Sequence, residues 1–278
     1  MNIINCPIAH GQMKRGVIQG ANILSNELSA YFNIPVIDVD HKALTYSSIP
    51  KEKITLYKYD ITVEYNKKLY QVLMNTNDDF NIIVGGDHSI SAATTLAYMN
   101  RIKGSKAILW IDAHPDLNTM ESTSSFNTHG MSLAFSTGLM NPQINGIANV
   151  GFDNIIYFGL RSIDPFEKDI IEKKNIIRFD KQQVNETIDT LQSFDSIHVS
   201  FDVDSLDPSI IPCTGTPVPD GISVETVEIL LSSIRDKVKS IDIVEFNPEI
   251  SKNNSNESLR ILVQIIVNTF DKDFKNMK

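Results

Sequence analysis

Short apolar runs rich in β-branched residues alternate along this chain with longer stretches whose apolar residues recur at helical spacing. The short runs predict strands at 2–5, 35–39, 81–84, 107–111, 155–158, 176–179, 197–202 and 240–246. Helical periodicity appears near 20–32, 64–76, 89–101, 165–174, 183–193, 223–235 and 257–270. Strand–helix alternation of this kind builds a parallel sheet covered by helices on both faces, joined by right-handed crossovers. Runs such as AILWI and NIIV are apolar almost throughout, as expected of strands buried on both faces. No internal repeat, low-complexity tract or Pro/Gly/Ser linker divides the chain, so residues 1–278 are expected to form one α/β domain.

Polar residues interrupt these strands mainly at their carboxyl ends. Gly85-Gly86-Asp87-His88, Asp112-Ala113-His114-Pro115-Asp116, Arg161, Asp202-Val203-Asp204 and Glu245 all occupy such positions. Open parallel sheets bind ligands outside the carboxyl ends of their strands, so five segments aim polar chemistry at one edge. Asp112, His114 and Asp116 are spaced i, i+2, as are Asp202 and Asp204. In extended backbone that spacing points side chains the same way, which predicts two combs of ligands. His88 follows a Gly-Gly pair that permits unusual backbone at a strand end.

If these segments converge, four aspartates share one pocket. Like charges so close drive carboxylate pKa values up, unless cations neutralise them. Two divalent ions carry four positive charges, which balance four aspartates while both histidines stay neutral. The set therefore predicts a two-metal centre, and oxygen donors with two imidazoles and no thiolate favour Mn²⁺. Glu245, at the end of an apolar strand, needs a partner if ionised; an internal arginine and a substrate guanidinium are both suitable. His129, on the polar segment that follows the first comb, has an imidazole suited to proton delivery near neutral pH.

Composition narrows the class of partner. Of 278 residues, 42% are hydrophobic and 21% charged, an ordinary globular balance. Acidic residues outnumber basic ones 34 to 25, for a net charge of −9 without a basic stripe, which argues against nucleic acid or an anionic membrane as partner. Cys6 and Cys213 are too few for a disulfide framework and lack metal-motif spacing, and Cys213 is expected to act as a small buried hydrophobe. The opening residues show no basic region followed by an apolar core, and no apolar run approaches the ~18 residues of a membrane span. A cytoplasmic protein acting on a small molecule is the resulting expectation.

The motifs GGDHS at 85–89, DAHPDLN at 112–118, SFDVDSLDP at 200–208 and IVEFNP at 243–248, with GQMKRGV at 11–17, resemble those of the binuclear manganese ureohydrolases. That family includes arginases, agmatinases, guanidinobutyrases and formiminoglutamases. The resemblance implies a three-layer α/β/α fold around a parallel sheet of about eight strands. It also implies two Mn²⁺ ions per subunit held by His88, Asp112, His114, Asp116, Asp202 and Asp204, with Asp112 and Asp202 bridging. A hydroxide shared by the two ions would attack the guanidinium carbon. His129 matches the family's proton-shuttling histidine, Glu245 matches its guanidinium-facing acid, and Asp116 joins them in the catalytic set.

Between Asn118 and His129 the sequence NTMESTSSFNTH matches the spacing of the arginase loop. Thr123, Ser125 and Asn127 then fall on contacts to a substrate α-carboxylate, as does Asn118. GLRSIDPFE at 159–167 places Asp164 on an α-amino contact and Glu167 nearby, and Thr216 near the guanidinium. These matches imply hydrolysis of L-arginine to L-ornithine and urea by a homo-oligomer, a trimer or hexamer. The alternatives are another ureohydrolase, a non-catalytic metal-binding paralogue, or a two-metal phosphoesterase, which the scarcity of Arg and Lys at the site disfavours. Pro115, Phe126, Ser132, Ser162 and Phe166 depart from the usual family residues, and Phe126, where Gly is usual, is expected to narrow the carboxylate end. Arg161 is read as a structural ion-pair partner.

Overall fold

The computed structural model describes residues 1–39, 54–76, 80–140, 144 and 146–271. Eight parallel strands form one sheet: β1 (Asn2–Cys6), β2 (Val36–Asp38), β3 (Asn81–Gly85), β4 (Lys106–Ile111), β5 (Ile155–Phe158), β6 (Ile177–Phe179), β7 (Ser196–Asp202) and β8 (Val238–Val244). Their spatial order is β2-β1-β3-β8-β7-β4-β5-β6. The helices are α1 (Gly16–Phe32), α2 (Ile54–Met74), α3 (Ser91–Arg101), α4 (Ser132–Thr137), α5 (Pro165–Lys173), α6 (Val184–Leu191), α7 (Val224–Ile234) and α8 (Ser255–Phe270).

Alternation along each strand divides the core in two. Ile82, Val84, Leu109, Ile111, Val199, Phe201, Ile241 and Ile243 pack on one face with Leu24 of α1, Leu191 of α6, Leu230 of α7 and Leu262 of α8. Ile4, Ile83, Ile108, Trp110 and Tyr157 face the other way, against Leu69 of α2, Leu96 of α3, Leu133 of α4 and Ile171 of α5. The three layers are those expected of doubly covered parallel strands. Burying side chains of this size supplies roughly 1.5–3 kcal/mol each, which is what fixes the sheet's register. No helix among the described residues is long and apolar enough to cross a membrane.

All eight expected strands are present, but the last ends earlier than its apolar run suggested. β8 stops at Val244 because Glu245 adopts a left-handed backbone, φ 69°, and turns the chain across the sheet's edge. The six-residue α4 was not foreseen, being too short to show helical periodicity.

Topology does the rest. The chain lays down β3 and β4 apart, then returns to fill the space between them with β8 and β7. The four strands followed by His88, Asp112, Asp202 and Glu245 are thereby consecutive in the sheet. Just past β3, the Gly86 amide donates to Cys6 (2.9 Å) and its carbonyl accepts from the Glu245 amide (2.8 Å). A Cβ at Gly86 would lie 1.9 Å from the Ile8 carbonyl oxygen, so only glycine allows the three strand ends to meet. Gly86→Ala is expected to cost about 1–3 kcal/mol through overpacking against backbone, measured by urea denaturation; an unchanged midpoint would show that the Ile8 turn yields freely.

Candidate metal centre

His88 opens a single 3-10 turn after β3, its amide donating to Glu245 Oε1 at 2.9 Å. The turn is capped by Asp87, whose Oδ1 accepts from the Ser89 amide (3.0 Å) and hydroxyl (2.5 Å) and whose Oδ2 accepts from the Gly11 amide (2.6 Å). The His88 ring stacks on Trp110, centroids 4.4 Å apart and planes 13° from parallel. Its Nδ1 then faces three carboxylate oxygens, Asp116 Oδ2 at 3.0 Å, Asp112 Oδ2 at 3.1 Å and Asp202 Oδ2 at 3.2 Å. On the other side of Asp112, His114 Nδ1 stands 3.5 Å from Asp112 Oδ1 and 3.2 Å from Asp204 Oδ2.

The two acidic segments do converge, though not as extended combs. Both are turns in which one aspartate's carboxylate accepts the amide two residues on: Asp112 Oδ1 from His114 (2.7 Å) and Asp202 Oδ1 from Asp204 (2.8 Å). Such turns suit Asp because its short side chain reaches its own backbone. Asp116 takes a left-handed conformation, φ 53°, which turns its carboxylate back toward His88 and lets its carbonyl accept from Leu133 and Ala134 at the start of α4.

Two sets of donors result, His88–Asp112–Asp116 and Asp112–His114–Asp204, in each of which one ligand atom per residue lies within 4.8 Å of the others. Asp112 belongs to both and offers a different oxygen to each. Asp202 brings one oxygen to the first set and spends the other on the Asp204 amide. His88 Nδ1 and Asp116 Oδ2 are buried without a hydrogen-bond partner. One imidazole nitrogen can satisfy at most one of three facing carboxylates with a proton, so cations fit this donor set better than hydrogen bonds do.

Electrostatics agrees. Burial, then the neighbouring Asp204 and Asp112, push Asp202 well above the ordinary carboxylate range, and burial with Asp112 raises Asp204. Asp112 alone among the four is held low: burial opposes its charge, but His114 and His88 outweigh it. Both imidazoles are drawn up by these carboxylates despite burial.

Above the donors lies a cavity of about 150 Å³ lined by His88, His114, Asp116, Asp202 and Asp204 on its floor and by Asn118, Ser125, His129, Asp164, Glu167 and Thr216 around its walls. His129 Nδ1 is 2.9 Å from Glu245 Oε1. Burial works against its charged form, yet Glu245 and then Asp87 and Asp116 keep its pKa above the ordinary value. Among the described residues Glu245 has no arginine partner; besides His129 and the His88 amide it accepts Gln12 Nε2 at 2.5 Å.

Several candidate substrate contacts are spent on the protein itself. Glu167 closes a capping box, accepting the Asp164 and Leu117 amides at 3.0 Å each. Asn118 Nδ2 donates to Asp164 Oδ2 at 2.9 Å, and Thr216 Oγ1 to Asp204 Oδ2 at 2.8 Å. Thr123 and Asn127 are outside the cavity lining and stand behind Ser125: Thr123 Oγ1 is 3.4 Å from Ser125 Oγ, which accepts the Asn127 amide at 3.3 Å. Phe126, left-handed at φ 56°, is half exposed and likewise outside the lining. Arg161 pairs with no carboxylate among the described residues; its guanidinium donates to the carbonyls of Gly159, Asp204, Ser205, Leu206, Val218 and Pro219, tying the Asp204 turn to the loop beyond it.

Gln12 and Trp110 were missed from sequence. Trp110, the chain's one tryptophan, precedes Asp112 by two residues on a strand. The period of two places both on one face, a signal sufficient to find it; its Nε1 donates to Asp112 Oδ2 at 3.1 Å. Gln12 carried no such signal beyond its place in the opening motif.

Residues 1–270 match the arginase family. The chain belongs to that family. It is 35% identical over 271 residues to the arginase of Entamoeba histolytica, covering 90% of this chain and 91% of that protein. The crystal structure of that arginase in complex with L-ornithine superposes with a TM-score of 0.83 over 95% of this chain and 96% of the other, at 30% identity. A Bacillus subtilis arginase structure gives a TM-score of 0.84 over 98% of both chains, at 28% identity. The protein is accordingly an arginase-family hydrolase of linear amidines, with a two-metal ligand cluster.

Cation removal has a predictable signature. Asp87 and Asp116 are raised to about 6 and Glu167 to about 7, by burial and neighbouring carboxylates. A carboxyl group with a raised folded pKa keeps its proton longer in the fold, so stability falls as pH rises from the unfolded value near ~4 through the folded one. The chelated protein is expected to lose thermal stability between about pH 5 and 7.5, and Mn²⁺ to restore it at the upper end. Differential scanning fluorimetry with and without the metal reads this directly, and a chelated melting temperature that rises with pH would contradict it.

Proposed function

We propose that this protein is a manganese-dependent arginase converting L-arginine and water to L-ornithine and urea, its single catalytic domain holding two Mn²⁺ ions on His88, Asp112, His114, Asp116, Asp202 and Asp204. The observation that carries the reading is the shared cavity, which sets the buried donors below an imidazole and opposite the Asn118–Asp164 pair. Oxygen-rich donors with two imidazoles favour Mn²⁺ among divalent ions. The two ions, when bound, supply an acidified water at neutral pH and charge stabilisation for its attack.

The chain's own residues do the rest of the work. Glu245 accepts the His129 Nδ1 proton, which leaves Nε2 turned to the cavity and able to hold a proton for the departing amine. Gln12 and the His88 amide fix Glu245 in that role, its charge reaching the cavity through His129. At the far end, Asp164 offers a charge for an α-ammonium, while Ser125 and the second Nδ2 proton of Asn118, whose first is held by Asp164, offer neutral donors for a carboxylate. L-Ornithine bound to the Entamoeba histolytica arginase has both groups. Agmatine has no carboxylate and no α-ammonium, so it would forgo these contacts, and hydrogen bonds to charged groups are worth about 1.5–3 kcal/mol each.

Two measurements test the reading. Urea release by the Mn²⁺-loaded protein is expected to show kcat/KM for L-arginine at least ~100-fold above that for agmatine, the scale of losing one or two hydrogen bonds to charged groups. Equal or better use of agmatine would leave only the wider ureohydrolase activity. His129→Asn is expected to lower kcat by roughly 10²-fold, the scale of a lost general acid, with Mn²⁺ content unchanged by elemental analysis. Full turnover in that variant would remove His129 from proton transfer.

A further inference from the structure

Where the neighbouring strands bury Ile83, Ile108 and Trp110 on the α3 side of the sheet, β7 and β8 bury polar side chains. His198, Ser200 and Asp242 are fully inaccessible and Ser240 nearly so. Groups of this kind cost several kcal/mol in an apolar layer unless paired, and they lie in the middle of the sheet, away from the cavity. A bulge arranges them: Ile197 pairs with Val238 but His198 with Ser240, so Lys239 is the extra residue. From there the register is regular and sets Ser200 opposite Asp242. Ser91 and Thr94, on the first turn of α3, close over them from above.

The hydrogen bonds run in one direction. His88 turns Nδ1 toward the carboxylates, so when that nitrogen serves a cation the ring's proton is on Nε2. Nε2 lies 2.8 Å from Ser200 Oγ and donates to it. Ser200 can then donate onward to Ser91 Oγ at 3.2 Å, and Ser91 donates to Asp242 Oδ2 at 2.8 Å. Asp242 Oδ2 also accepts from Thr94 at 2.5 Å and stands 3.4 Å from His198 Nε2, whose Nδ1 is 2.7 Å from Ser240 Oγ. Each hydroxyl passes its proton the same way, and the line ends on an acceptor-only group.

We propose that Asp242 is a positioning residue for the metal centre, acting through Ser91 and Ser200 to hold His88 in the tautomer whose Nδ1 lone pair faces Asp112, Asp116 and Asp202. The proposal rests on the metal centre described above and not on which amidine is hydrolysed. Trp110 fixes the plane of the His88 ring by stacking; the hydroxyl line fixes where its proton resides. Reversing the line would place a proton on Nδ1 and close that nitrogen to a cation. Partners that orient a metal-binding imidazole through its second nitrogen are typically worth 10–100-fold in metal affinity.

The test titrates Mn²⁺ into the chelator-treated full-length protein and reads affinity by calorimetry and retained metal by elemental analysis after gel filtration. Ser200→Ala and Ser91→Ala are each expected to weaken one of the two Mn²⁺ sites by about 10–100-fold, so that retained metal falls from two ions toward one. Asp242→Asn should do the same, and Ser200→Thr, which keeps the hydroxyl, should bind as wild type does. If Asp242→Asn does not fold, Ser91→Ala carries the test, since it breaks the line without touching His88. Wild-type Mn²⁺ affinity in Ser91→Ala overturns the proposal, as does a loss confined to the melting temperature of the chelated protein. Wild-type protein that binds two Mn²⁺ ions but does not hydrolyse L-arginine counts against the proposed substrate alone, and one that takes up no Mn²⁺ overturns the centre and this inference together.

Discussion

Four buried carboxylates brought within a few ångströms of one another are the constraint around which the molecule is arranged. Their mutual repulsion in a buried site is far larger than at a surface, so the fold must supply compensation on every side. Some of it is local: Asp112 and Asp202 each hold an amide two residues on, and Trp110 donates to Asp112. Some is global, because Asp112, Asp202 and Glu245 follow strands placed side by side in the middle of the sheet. What remains uncompensated, above all His88 Nδ1 and Asp116 Oδ2, 3.0 Å apart, is a demand for positive charge.

Glu245 shows how one buried acid is made compatible with that crowd. It carries three donors, from Gln12, His88 and His129, and is held below the ordinary range: burial opposes its charge, and His129 first among its partners restores it. The same contacts convert a left-handed turn at a strand end into the support for an imidazole. A carboxylate that sequence leaves open between an arginine and a substrate thus proves to be shared among internal donors while still facing the cavity's histidine.

The sheet and the donor set were legible because both are written in residue type and period. Eight apolar runs marked eight strands, and polar residues at their carboxyl ends marked the ligand-binding edge. Backbone geometry was less legible. The spacing of Asp112, His114 and Asp116 suggested extended chain, whereas short acidic side chains bonding their own backbone produce turns with the same convergence. Contacts at the cavity wall were least legible, since residue identity does not say whether a polar group is free. Asp164-Pro165-Phe166-Glu167 is the exception: an acidic N-cap, proline at the first helical position and glutamate at the third form a capping-box pattern, which gives Glu167 a role in the fold besides its place in the cavity wall. Polar residues inside the apolar strand IHVSFD were likewise visible without any chemistry attached to them.

The strand order also bears on how the centre comes into being during synthesis. β3 and β4, which lead into His88 and Asp112, are made early, yet the space between them is filled by β7 and β8, the last two strands of the chain. The His88 amide and its Glu245 acceptor are 157 residues apart. Contacts this distant close late, after the loop entropy of the intervening chain has been overcome. An emerging chain therefore exposes isolated halves of the acidic cluster at the ribosome, and the paired geometry exists only once the C-terminal strands have inserted. Completion of the two donor sets is, in this sense, a report that the central sheet is finished.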